Sequence, residues 1–274
     1  PHHLMTTGSA RPPETAAGRV GRWGLTAVAA AGFVYLFIPI AVIVGYSFNK
    51  PRGKFNIIWQ RFTLDNWKDP FAPGPLTDAM YLSLKIAAIA AIAATVLGSL
   101  IALALVRYRF RGGTFVNLLL VLPLTTPEIV MGSSLATLFL DRGVQRGFTT
   151  IVIAHVLFCT SFVALTVKAR IRGFDWTLED AAMDLGAPPW RTFSRVTLPL
   201  ITPGILAAGL LSFALSIDDF IITFFNSGSE ETFPLRIFGA SRVEISPQIN
   251  VLATIVLLVS VGLMLAGTAL RRRS

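Results

Sequence analysis

The sequence predicts an all-α polytopic membrane protein with six transmembrane helices, and three observations carry that prediction. Of its 274 residues 53% are hydrophobic and only 14% charged, with a mean hydropathy of +0.65, too little charge to cover a water-soluble domain of this length. The apolar residues gather into six runs, each meeting the ~20 residues that a helix needs to cross the hydrocarbon layer. No run alternates polar and apolar residues as a barrel strand does. Backbone hydrogen bonds must close within the segment in lipid, so the runs are read as helices.

Pro1–Leu4 precede the first methionine, Met5, and read as an expression-vector remnant. Met5–Val20 is rich in small residues and proline and is expected to be disordered, so residues 1–22 form a cytoplasmic tail and 23–274 the membrane domain. The first run, Gly24–Phe48, is too long for a signal-peptide core and lacks a cleavage site, so it is a retained helix behind the interfacial anchor Trp23. The second, Tyr81–Val106, carries Lys85, which either snorkels to the surface or pairs with an acid. The third, Phe115–Leu140, is interrupted by Pro123 and Pro127. The fourth, Phe148–Val167, holds His155 and the single cysteine, Cys159, which is read as a small buried apolar residue. Leu200–Phe225 and Asn250–Leu270 complete the set.

A net charge of +9 would suggest a nucleic-acid partner. The basic residues instead sit between the apolar runs, where lipid headgroups meet them. Arg107, Arg109 and Arg111, the Lys168–Arg172 cluster and Arg271–Arg273 all flank helix ends on one side. The positive-inside rule then puts that side, and both termini, in the cytoplasm.

The loop 168–199 between the fourth and fifth runs is longer than most connections between packed elements. Thr177 can cap a short helix whose first turn is acidic, with Glu179 and Asp180. Gly186 can end that helix in a left-handed conformation, and Pro188–Pro189 force a turn before a second helix. Such an elbow either docks into a partner or lies on lipid as an interfacial helix.

This loop resembles the signature of the inner-membrane permeases of ABC importers: E-A-A, three residues, G, nine residues, I, one residue, L-P. Ala181, Ala182, Gly186, Leu198 and Pro199 keep that spacing; Asp180 stands in the Glu position, with Glu179 before it, and Val196 replaces Ile. The resemblance spans the chain from first run to last and is closest to the second permease subunit of spermidine/putrescine systems. Arg107–Gly112, Pro127-Glu128-Ile129-Val130-Met131, Leu185-Gly186-Ala187, Leu211–Asp219 and Ser246–Asn250 carry it; Glu128 stands where that family usually has Asp. The resemblance implies a type I ABC importer permease fold in a bacterial plasma membrane. It further implies an ATPase dimer gripping the elbow through Glu179, Asp180, Ala181, Ala182, Gly186, Leu198 and Pro199. A homologous second permease and an extracytoplasmic binding protein complete the implied assembly. The chain has no G-x-x-x-x-G-K-[ST] loop and no metal-ligand cluster. No cofactor or catalytic residue is therefore expected, and ATP-Mg belongs to the partner.

A charge at the centre of a span costs at least ~2.5 kcal/mol on insertion scales, so intramembrane acids point to function. Glu128, Asp218 and Asp219 qualify. On a continuous fifth helix Asp219 shares a polar face with Ser212, Ser216, Thr223 and Asn226, whereas Asp218 faces Leu211, Ala214, Ile221 and Ile222. Asp219 is thus expected to line a substrate path with Glu128, and Asp218 to contact substrate from the side or pair with the second permease. A polyamine has separated ammonium groups on an apolar chain, which suits carboxylates with aromatic walls, and Phe220, Phe224 and Phe158 can supply the walls. His155 either contacts substrate or makes a packing hydrogen bond. Outside the membrane Trp59, Trp67, Glu230 and Glu231 are candidate contacts for the binding protein. The alternatives are an importer permease for ferric ion, an opine or a phosphonate, and an ion-coupled secondary transporter using the acids as proton or sodium sites.

Overall fold

The computed structural model describes residues 16–72, 74–108 and 110–271, with side-chain environments from Trp23 to Gly262. The expectations for residues 1–15, Arg109 and Arg272–Arg273 lie outside the described residues. Helices dominate, and among the described residues the only extended pairings are two isolated bridges, Asn49 with Phe62 and Phe55 with Ile245. The chain folds as two compact units: the described residues up to Pro70 together with those from Glu244 onward, and Phe71–Val243.

In the first unit α1 (Ala16–Tyr46) is followed by a loop with one 3-10 turn (Asp65–Trp67). This helix begins inside the segment expected as tail. Among the described residues none in its apolar stretch Trp23–Tyr46 is buried. It packs against α11 (Pro247–Arg271).

In the second unit the long helices α2 (Pro75–Arg107), α5 (Phe148–Ile171) and α8 (Leu198–Ile217) pack together as the core. Lipid gives no hydrophobic drive for helices to associate, so close backbone approach must supply the attraction. α2 accordingly presents Ala87, Ala90, Ala94, Gly98 and Ala102 at helical spacing. A Cβ on Gly98 would fall 2.7 Å from Val163 Cβ, so only glycine lets α2 and α5 approach this closely. At ~1.5 Å per residue, the 33-residue α2 is about 50 Å long and overshoots a ~30 Å hydrocarbon core.

Among the described residues four helical segments are long and apolar enough to cross a bilayer: Trp23–Tyr46, Pro75–Arg107, Phe148–Ile171 and Pro189–Ile217. The expected third span is two helices, α3 (Gly113–Thr125) and α4 (Glu128–Asp141), bent by 109° and able to cross only as a pair. The break falls at Thr126–Pro127. Pro127 disfavours helix at the residue before it, and Pro123 stays inside α3. The apolar stretch described in α11, Pro247–Gly262, is shorter than a full span.

The expected fifth span is also discontinuous. α8 stops at Ile217, residues 218–220 belong to neither helix, and α9 (Ile221–Asn226) restarts before α10 (Phe233–Ala240). The helix is not continuous through Asp218 and Asp219, yet Asp219 still shares the buried side with Ser216 and Thr223, as expected, and Asp218 does not.

Candidate functional sites: an elbow and two broken helices

The elbow is built as three pieces. Its first helix, α6 (Thr177–Asp184), begins with acids, whose charges favour the positive end of the helix dipole. Thr177 is not the capping acceptor that its position suggests. It is the first helical residue, and its backbone N–H and hydroxyl both donate to Asp175 Oδ1, at 3.1 and 2.8 Å. Gly186 ends the helix as expected, with φ of +86°, and Ala187 N donates back to Ala182 O at 3.1 Å. Pro188 then turns the chain into α7 (Pro189–Thr192), which runs through a π-helical turn (Phe193–Thr197) into α8.

The two adjacent acids of this elbow have different surroundings. Glu179 is 4% exposed and Asp180 is exposed. Glu179 takes both prongs of Arg107 at the end of α2, Nη1–Oε1 at 3.1 Å and Nη2–Oε2 at 3.0 Å, and accepts a hydrogen bond from the Thr197 hydroxyl. The Arg107 guanidinium also lies over the Trp176 ring. The expected contact residues Asp180, Leu198 and Pro199 lie at the surface with Ala181 and Gly186, and Ala182 is half-buried. Two residues outside that expected set dominate the apolar surface at the bend: Leu185 is 90% exposed and Trp190 75%.

The broken helices meet. A Cβ on Gly132 of α4 would lie 3.2 Å from Ile222 Cα and 3.4 Å from Ile221 O on α9, and Asn226 Nδ2 donates to Gly132 O at 3.2 Å. Each helix starts just after a break, and an acid stands at each break: Glu128 opens α4, and Asp218 and Asp219 precede α9.

The two aspartates are again unlike. Asp218 is exposed at the C-terminal end of α8. The Asp219 side chain is 5% accessible, and its oxygens already have partners. Oδ2 accepts from Thr223 N and Thr223 Oγ1, both at 2.8 Å, and lies 3.3 Å from His155 Nε2. Ile222 N reaches Oδ1 at 3.4 Å, so the carboxylate serves as the N-terminal cap of α9. His155 is 2% exposed and completes the cluster, with Nδ1 2.7 Å from Ser216 Oγ and Nε2 2.9 Å from Thr223 Oγ1. One imidazole of α5 thereby ties the end of α8 to the start of α9.

Glu128 is exposed. Phe220 packs on Phe224 and on Phe238 at ring separations of 5.8 and 4.9 Å, and Phe224 remains 54% exposed. Phe158 is only 5% exposed and belongs to the core, against Phe162. Lys85 sits over the Phe148 ring at 5.0 Å. Trp67 stacks on Phe48, and its indole N–H donates to Ser47 Oγ. Among the described residues no group of His, Cys, Asp and Glu is arranged to hold a metal ion.

Residues 94–274 match the family model of the binding-protein-dependent transport system inner membrane component. The chain belongs to this family. It is 40% identical over 257 residues to the spermidine/putrescine transport system permease protein PotC of Escherichia coli K12, covering 93% of this chain and 95% of that protein. It is equally 40% identical over 234 residues to the putrescine transport system permease protein PotI of the same organism, covering 82% of this chain and 83% of that one. Among solved structures it shares the fold of a chain of a bacterial alginate ABC transporter, solved with an alginate pentasaccharide-bound periplasmic protein. The TM-score is 0.65 at 16% identity, over 95% of this chain and 98% of that one. The transport component is thus a multi-pass inner-membrane protein of ABC type, and the elbow and broken helices are features of a permease.

Proposed function

We propose that this chain is the permease subunit of an ATP-driven importer of polyamines such as spermidine and putrescine. The observation that carries the substrate class is the 40% identity to PotC, which runs through 93% of the chain and includes both the elbow and the broken helices. In this reading six helices cross the bilayer, with the α3–α4 pair as one span, α11 as another and both termini in the cytoplasm. An ATPase dimer grips the elbow at Asp180, Gly186, Leu185 and Trp190, while Glu179 braces it from within. A homologous permease stands beside the chain, and an extracytoplasmic binding protein delivers the polyamine.

The substrate path runs past the helix breaks. Glu128 and Asp218 meet the ammonium groups and Phe220 and Phe224 the methylene chain, while Asp219 and His155 hold the α8–α9 break in shape behind them. Support comes from exposure: Glu128 and Asp218 are open, and the Asp219 carboxylate is enclosed by its own donors. A carboxylate already satisfied gains little from an ammonium group, whereas an exposed one in an apolar region has strong reason to take it.

The test is reconstitution into vesicles with the ATPase, the second permease and the binding protein, followed by labelled spermidine and putrescine uptake. ATP-dependent uptake is expected. Uptake by this chain in vesicles without the ATPase would assign it to the secondary transporters instead, and a complex that hydrolyses ATP yet ignores polyamines would refute the substrate class.

A further inference from the structure

The loop that follows α1 carries a surface to which the transport reading gives only one residue, Trp59, as a candidate contact for the binding protein. α1 ends at Tyr46, and two asparagines build the turn beyond it. Asn49 is fully buried and Asn56 nearly so, at 4%. Asn49 Nδ2 donates to Asn56 Oδ1 at 2.7 Å and to Ile58 O at 2.9 Å. Asn56 Nδ2 donates to Tyr46 O at 2.8 Å, and Gln60 N to Asn49 Oδ1 at 2.8 Å. Backbone bonds from Lys50 N to Arg61 O and from Thr63 N to Phe48 O close the base. The tip of this loop is Ile57-Ile58-Trp59, with side chains 60%, 63% and 48% exposed.

Three consecutive exposed apolar residues on a rigid frame need an occupant. Their height relative to the bilayer is set by Tyr46, the last residue of a 24-residue apolar segment. At ~1.5 Å per residue that segment is about 36 Å long, just more than the ~30 Å hydrocarbon core, so Tyr46 lies at the interface. The Tyr46 hydroxyl donates to Ile57 O at 2.9 Å, and its ring meets Trp59 edge-on with centroids 6.2 Å apart. The tip is therefore held at the level where α1 leaves the membrane.

We propose that Ile57, Ile58 and Trp59 form a wedge seated in the headgroup–acyl boundary of the leaflet at the Tyr46 end of α1. Three features favour lipid over a protein partner. The tip touches the last residue of α1, a helix whose apolar stretch has no buried residue. The carbonyls of Ile57 and Ile58 accept from the Tyr46 hydroxyl and the Asn49 amide, which removes two acceptors that lipid would leave unpaired. Exposed Lys50, Arg52, Lys54 and Arg61 lie in the same loop and can reach headgroup phosphates on their long stems, while Trp59 and Tyr46 are residue types that membrane interfaces select on either side.

The experiment labels Ile58→Cys with bimane in the full transporter, in nanodiscs of phosphatidylethanolamine and phosphatidylglycerol. Cys159 is fully buried and stays in place. Lipid carrying a nitroxide near the headgroup is expected to remove most of the emission, a nitroxide deep in the acyl chain less, and aqueous iodide little. Ile57→Cys should give the same ranking, which guards against a label that distorts one site. Strong quenching by iodide with none from lipid would put the tip in water and overturn the proposal. Protection from every quencher would show a protein covering the tip and overturn it equally.

Discussion

Arg107 and Glu179, 72 residues apart in the chain, form a two-pronged ion pair that fastens the elbow to the end of α2. Thr197 holds the same carboxylate from the other side, so α6 is fixed both to α2 and to the turn that leads into α8. A push on the elbow would therefore reach two long helices of the core together, as the proposed coupling role requires.

Replacing Glu179 with alanine should destabilise the isolated protein by about 2 kcal/mol. The buried range is higher, but Arg107 is one-third exposed and water softens its loss. Thermal unfolding in detergent measures this. The exchange Arg107→Glu with Glu179→Arg should recover part of the loss; no recovery would mean that the pair does not act as a unit.

Gly186 presents a cleaner case, because no atom would crowd a Cβ there. The whole cost of a side chain lies in the left-handed backbone, roughly 1–2 kcal/mol for alanine and less for asparagine. Gly186→Ala should lower the melting temperature more than Gly186→Asn. A bulky residue should in addition uncouple ATP hydrolysis from uptake in vesicles, as it meets the partner rather than this chain.

Leu185 and Trp190 are expected to contribute to partner binding with little role in stability, being 90% and 75% exposed. Leu185→Ser with Trp190→Ser should leave thermal unfolding nearly unchanged and reduce copurification of the ATPase. If the melting temperature falls and ATPase recovery does not, the two side chains are packing residues.

The elbow was legible because its instructions are local. Acids in a first turn, a glycine at the end and two prolines beyond fix a helix and its stop without help from distant chain. The division of labour between Glu179 and Asp180 was not legible, since it depends on Arg107, which no local pattern couples to that loop. Hydropathy marked the α3–α4 and α8–α9 segments as apolar runs, of which the α3–α4 pair and the segment containing α8 are long and apolar enough to cross a bilayer, and Pro127 marked the first break. The second break has no proline or glycine, so an unbroken helix was the natural reading; the grouping of Asp219 with Ser216 and Thr223 survives the break because His155 and the Asp219 carboxylate gather them. A signal existed all the same: Asp219 stands three and four residues before Ile222 and Thr223, the amides it caps, so it could have been read as the start of a new helix.

That cap separates the two aspartates experimentally. Asp219→Ala removes the acceptor for Thr223 N and Thr223 Oγ1 and the neighbour of His155. Leaving buried donors unpaired should cost about 3 kcal/mol, visible as a lower melting temperature. Asp218 sits instead at the negative end of the α8 dipole, exposed, so Asp218→Ala should leave stability unchanged or raise it by a few tenths of a kcal/mol. If the path passes Asp218, that same substitution should cut spermidine uptake sharply in an intact, ATP-hydrolysing complex. Full uptake by Asp218→Ala would remove this residue from the path. Equal loss of stability in both variants would mean that the α8–α9 break depends on the pair and not on Asp219 with His155.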